Sequence, residues 1–152
     1  MKLAEGLILR ADIQTKIDEL KIRLSRSAKV QEGEEPPENP NELLMELNNL
    51  LKELNKLIKS INKTNSIVEF DDGRTLAEVL ADRDTISLKR RVLADLIHEA
   101  SIQQDRYSRS EVKYYRTVDI ASLQKEVDKL AKEYRQLDTE IQKMNWTYDL
   151  ID

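Results

Sequence analysis

The sequence predicts a mainly α fold. It is expected to be an elongated bundle of four long helices, set as two antiparallel coiled-coil-like hairpins, with a small β-hairpin or sheet at one end. Three observations lead there. Of the 152 residues, 36% are charged and only 5% are aromatic, a profile that suits long helices with narrow apolar stripes better than a thick globular core. Three glycines and three prolines are all that punctuate the chain. Over most of the length, apolar residues recur at steps of three and four, the period of a helix face.

Leu3, Leu7, Ile13, Ile17, Leu20 and Leu24 place a first helix at about 2–29, with Arg10 and Gln14 interrupting its stripe. The segment 31–40, QEGEEPPENP, ends it: glycine and proline break the helix and the glutamates keep the loop solvated. A second helix starts near Asn39 or Asn41, with Pro40 suited to the first turn. Its residues Leu43, Leu47, Leu50, Leu54, Leu57 and Ile61 form an a/d heptad, widened by Leu44, Leu51 and Ile58.

The period then changes. Ile67, Val68 and Phe70 have strand character, and Asp72-Gly73 is a tight-turn dipeptide. Thr75 with Glu78 reads as a capping box for a third helix at about 76–102. Its stripe is Leu76, Leu80, Arg83, Ile86, Arg90, Leu93, Ile97 and Ala100, with two arginines on the seam. A buried arginine is costly unless paired, so Asp82, Asp84 or a carboxylate of another helix is expected beside it. Polar seam groups often fix register and oligomeric state. The alternative is a rotated helix whose arginines snorkel to solvent.

The segment RYSRSEVK, 106–113, interrupts the helices with Arg106, Tyr107, Ser108, Arg109, Ser110 and Glu111. Val, Thr and Tyr between 106 and 118 favour an extended chain. A strand at 66–70 needs a partner, because a lone strand leaves backbone groups unpaired. RYSRSEVK is expected to lead into or form that partner, so that 66–74 and 106–118 cap one end. Asp119 caps a fourth helix at about 120–144, whose residues Ile120, Leu123, Val127, Leu130, Tyr134, Leu137, Ile141 and Met144 form the cleanest heptad. The tail 145–152 holds the single tryptophan, Trp146, which is expected to pack on the bundle or on a neighbouring subunit. The whole chain, 1–152, reads as a single helical domain.

The net charge is −4, with 25 basic and 29 acidic residues, so nothing favours nucleic acid globally. No cysteine is present, which excludes disulfides, a thiol nucleophile and thiolate metal ligands. No apolar run approaches the roughly 20 residues of a membrane span, and the N-terminus does not read as a signal peptide. A cytoplasmic protein without membrane contact is expected. The single histidine, His98, lies near Asp95 and Glu99 on one helical surface. That trio could seed a metal site, or be a solvated helix face. Helical carboxylates such as Glu78, Asp82 and Asp84, or Glu42 and Glu46, could hold magnesium as in all-helical pyrophosphohydrolases. The paired pattern of those enzymes is not found, and i,i+4 pairing with basic neighbours is the plainer reading. Basic residues interleaved with tyrosines over 106–116 could bind nucleic acid, or pair locally with Asp71 and Asp72.

The segments LADRD (80–84), RYSRSEVKY (106–114) and NWTYDL (145–150) resemble a family of small uncharacterised bacterial proteins, some of whose members are labelled septicolysin-like. The resemblance implies an all-helical, oligomeric protein with no established activity, and the label implies a pore-forming haemolysin. No catalytic residues and no cofactor are carried over from it. The first expectation for function is a self-assembling homo-oligomer without catalytic activity, with RYSRSEVK organising an end cap or subunit contact. The second is a membrane-active cytolysin. The third is a metal-dependent hydrolase using helical carboxylates.

Overall fold

The structure is a computed structural model, and it describes residues 1–102 and 112–152. Among them are four α-helices, α1 (Leu3–Arg26), α2 (Pro40–Ile67), α3 (Leu76–Ser101) and α4 (Ile120–Thr147), with strands β1 (Glu69–Asp71) and β2 (Arg74–Thr75). The mainly α class with a small antiparallel hairpin is the expected one. The chain divides into two compact units: Met1–Ala77 with Gln142–Asp152, and Glu78–Ile141.

In the first unit α1 and α2 run antiparallel. A Cβ on Gly6 would lie within 3.6 Å of Leu57, while at the opposite end Arg23 reaches Glu46 at 3.5 Å. The apolar stripes fill the core with Leu3, Ile13 and Leu20 from α1 and Leu43, Leu57 and Ile61 from α2. Each fully buried leucine or isoleucine contributes about 1.5–3 kcal/mol of transfer free energy. The Ser27 N–H closes α1 by donating to the Arg23 and Leu24 carbonyls. Gly33, at φ +84°, then turns the acidic loop in a conformation that side chains disfavour. Arg23 holds the loop's far end through a fork to Glu38, at 2.9 and 2.6 Å. Of the two asparagines expected near the start of α2, Asn39 is the cap, accepting from the Asn41 N–H at 2.9 Å with Pro40 in the first turn.

The expected strand at 66–70 is displaced. Ile67 still belongs to α2, Val68 is its C-cap, and the strand begins at Glu69. β1 finds a partner within its own hairpin, while the expected one, RYSRSEVK, lies outside the described residues at 106–111. β1 pairs with β2, with Glu69 opposite Thr75 and Asp71 opposite Arg74. Asp72-Gly73, with Gly73 at φ +108°, folds the chain straight back. Such a short loop closes at far lower entropic cost than pairing with a segment more than thirty residues away. Arg74 spans the turn to Asp71 at 2.6 Å and lies 5.5 Å from the centre of the Phe70 ring. Residues 112–118 contain neither helix nor strand, and 106–111 lie outside the described residues.

Both termini fold onto this unit. The Leu3 N–H donates to the Tyr148 carbonyl, the Leu150 N–H to the Met1 carbonyl, and Lys2 meets Asp149 at 3.0 Å. Leu150 sits over Gly6, where an added Cβ would come within 3.2 Å of it. Thr64, fully buried on α2, donates to the Ser60 carbonyl and accepts from the Ile151 N–H at 2.9 Å. The closing residues therefore form a latch across α1 and α2, which the reading of 145–152 as a tail did not foresee.

In the second unit α3 and α4 also run antiparallel. Arg83 meets Asp138 at 2.9 Å, Lys89 meets Glu126 at 3.3 Å, and the Arg116 Nε donates to the Ala100 carbonyl at the end of α3. Asp119 is the expected cap of α4, accepting from the Ala121 and Ser122 amides and from the Ser122 hydroxyl.

Candidate functional site

The second unit holds most of the residues that the sequence singles out. Its two seams face each other yet remain open. On α3, Leu80, Arg83, Ile86, Leu93, Ile97 and Ala100 are half-buried. On α4, Ile120, Leu123, Val127, Tyr134 and Leu137 are half-buried too, and along these stretches only Leu130 is buried outright. A helix pair has just two walls. Its apolar stripes keep one side accessible unless further helices cover them.

Arg83 lies in that seam as expected, and its partner is a carboxylate of another helix. The Arg83 side chain is 22% exposed and that of Asp138 32%, with Asp84 at 3.4 Å on the outer side. Burial works against the guanidinium charge. The hydrogen bond to Asp138 and the neighbouring acidic groups more than offset it, and hold Arg83 above its ordinary range. Arg90 does not share this position. It is exposed, while Ser87 and Leu93 to either side are half-buried. Leu93, Ile97 and Ala100 continue the seam beyond it, so the seam reading is corrected at Arg90 in favour of the snorkelling alternative: its long side chain reaches solvent.

Asp95, His98 and Glu99 are all exposed on α3. Among the described residues no three histidine or carboxylate side chains converge on a point where a metal ion could sit. Arg106, Tyr107, Ser108, Arg109, Ser110 and Glu111 lie outside the described residues. The following residues, Tyr114 and Tyr115, are exposed. Asp71, expected to pair with RYSRSEVK, forks with Arg74, and residues 106–111 of that segment lie outside the described residues. Trp146, expected to pack on the bundle or on a neighbouring subunit, falls in the last turn of α4 and is 56% exposed, while Ile141 and Asn145 nearby are buried.

The surface feature that sequence reasoning missed is a second apolar row on α3. Leu88, Val92 and Leu96 are 48%, 55% and 39% exposed. Their spacing of four places them on one ridge, about 120° around the helix from the seam. The sequence carries it as an i, i+4, i+8 series alongside the longer seam series. Two surface depressions among the described residues, of about 520 and 570 Å³, lie along α1 at Asp18, Lys21, Ile22, Ser25 and Arg26 and under the acidic loop at Val30, Glu34 and Pro37. No helix among the described residues is long and apolar enough to cross a membrane.

Residues 10–150 match a family of unknown function, DUF6847. The chain belongs to that family. The structure is similar to the crystal structure of a functionally unknown conserved protein from Corynebacterium diphtheriae, with a TM-score of 0.92 and 48% identity over 99% of each chain. No curated protein matches the sequence. DUF6847 is thus a family with a mainly helical fold and no activity attached to it. The septicolysin-like label finds no support in either match.

Proposed function

We propose that this member of DUF6847 is a non-catalytic, self-associating helical protein. The observation that carries the reading is the open seam of the second unit, where Leu130 alone is buried between two stripes of half-buried leucine, isoleucine and valine. Apolar surface left in this state gains about 25 cal/mol for every Å² that a partner covers. A second copy is the simplest source of the missing helices, and most soluble oligomers are closed assemblies of identical chains.

Light scattering after size exclusion, at two loading concentrations tenfold apart, tests it. The expected result is a mass above the 17.7 kDa of one chain that rises toward a whole-number multiple at the higher concentration. A mass of 17.7 kDa at both concentrations overturns the reading.

A further inference from the structure

We propose that the outer face of α3 is a second contact between copies, apart from the open seam, and that two copies meet there antiparallel about Val92. This deepens the self-association reading and rests on it.

The first reason is the form of the patch. Leu88, Val92 and Leu96 make a single i±4 ridge, the element that interdigitates when two helices cross in the commonest packing class. A ridge with a valine at its midpoint and leucines four residues to either side is its own complement under a two-fold axis. Leu88 then meets Leu96 of the second copy, and Val92 meets Val92.

The second reason is charge. Arg91 and Asp95 flank the ridge on one rim, and Lys89 lies on the other, turned toward Glu126 of α4. An antiparallel pairing keeps like rims together and reverses the helix direction. That brings Arg91 of each copy beside Asp95 of the other, one pair on each side of the axis, and these two attractive pairs outweigh the single approach of Arg91 to Arg91 across the axis. A parallel pairing would instead set Arg91 against Lys89 of the second copy, a like-charge contact that is destabilising. The charges therefore select one of the two orientations that the aliphatic ridge alone would allow. The patch is smaller than the roughly 800 Å² per partner of a standard stable interface. This contact accordingly forms and dissociates with concentration.

The absence of cysteine from the chain gives a direct test, because single-cysteine variants carry one thiol each. Val92→Cys places two Cβ atoms at the axis, within the separation of about 3.5–4.5 Å that a disulfide requires. Under mild copper-phenanthroline oxidation, Val92→Cys is expected to form a covalent dimer at least tenfold faster than Leu51→Cys, an exposed site on α2. Leu88→Cys mixed with Leu96→Cys should cross-link faster than either variant alone. Arg91→Asp should shift the mass from light scattering toward monomer, and Arg91→Asp combined with Asp95→Arg should restore it. If wild type dimerises but Val92→Cys cross-links no faster than Leu51→Cys, the face is wrong and self-association stands. If faster cross-linking occurs but Leu88→Cys and Leu96→Cys do not pair with each other, the antiparallel orientation is wrong. If wild type stays monomeric at every concentration, the reading beneath the proposal fails and takes it along.

Discussion

Arg83 and Arg90 stand seven residues apart on α3 and meet different surroundings. Arg83 enters the seam, where Asp138 accepts its hydrogen bond at 2.9 Å, while Arg90 lies in solvent. Exposed ion pairs contribute at most about 1 kcal/mol, whereas breaking a buried one costs about 3–5 kcal/mol. A pair that is only part-buried falls between them, so Arg83→Ala should lower stability in urea by about 1–2 kcal/mol, and Arg90→Ala by no more than about 0.5 kcal/mol. Equal effects from the two would contradict the placement of Arg83. Thr64 offers a second test at this scale. Its buried hydroxyl holds the Ile151 N–H, and Thr64→Val keeps the shape but removes the acceptor. Urea unfolding should show a loss of about 1–2 kcal/mol, the cost of leaving one buried donor unsatisfied. A variant as stable as wild type would mean that the terminal latch adds nothing.

Helix ends account for the acid sensitivity expected of the elements. Hydrogen bonds from the Ser122 hydroxyl and amide and from the Ala121 amide hold the Asp119 carboxyl below its ordinary value, at the start of α4. The Arg23 fork does the same for Glu38 before α2, Arg74 for Asp71 in the hairpin, and Lys2 for Asp149 in the latch. Each folded value lies below the unfolded one. The stabilisation is therefore complete above the unfolded carboxyl range, near pH 4, and is lost as pH falls through the lower folded values. All four groups are solvent-facing, so the individual effects are small and screened by salt. In an amide NMR titration, Ala121 and Ser122 should shift below about pH 4 in wild type. Asp119→Asn retains the acceptor oxygen without the titration, and should leave those amides flat. Movement in both proteins would assign the transition elsewhere. The α3–α4 pair depends on Leu130, the one seam residue buried along its middle. Leu130→Ala should cost about 2–4 kcal/mol in urea unfolding. A loss under 1 kcal/mol would mean that the seam does not hold the pair together.

For the molecule as a whole, self-association links stability to concentration. A partner that binds only the native chain stabilises it by mass action. The melting temperature should therefore rise when the protein is concentrated tenfold. That rise should persist in 0.5 M salt, because the covered surface is mainly aliphatic and charge screening leaves apolar burial in place. A melting temperature independent of concentration would argue for a monomer, whose open seam is then permanent.

Local chemistry made much of this protein legible in advance. The four helices, the caps at Asn39 and Asp119, the break at 31–40 and the Asp72-Gly73 turn all rest on interactions among residues close in sequence, and the structure has each of them. The carboxylate expected beside Arg83 was legible as a need, since a part-buried guanidinium requires one, but its identity as Asp138 was not. Long-range assembly set that choice, together with the exposure of Arg90 and Trp146, the clasp of both termini through Thr64, and the uncovered ridge of Leu88, Val92 and Leu96. A periodic stripe says that a helix has an apolar face. Which side of that face is covered, and by what, depends on where distant residues arrive once the chain has folded.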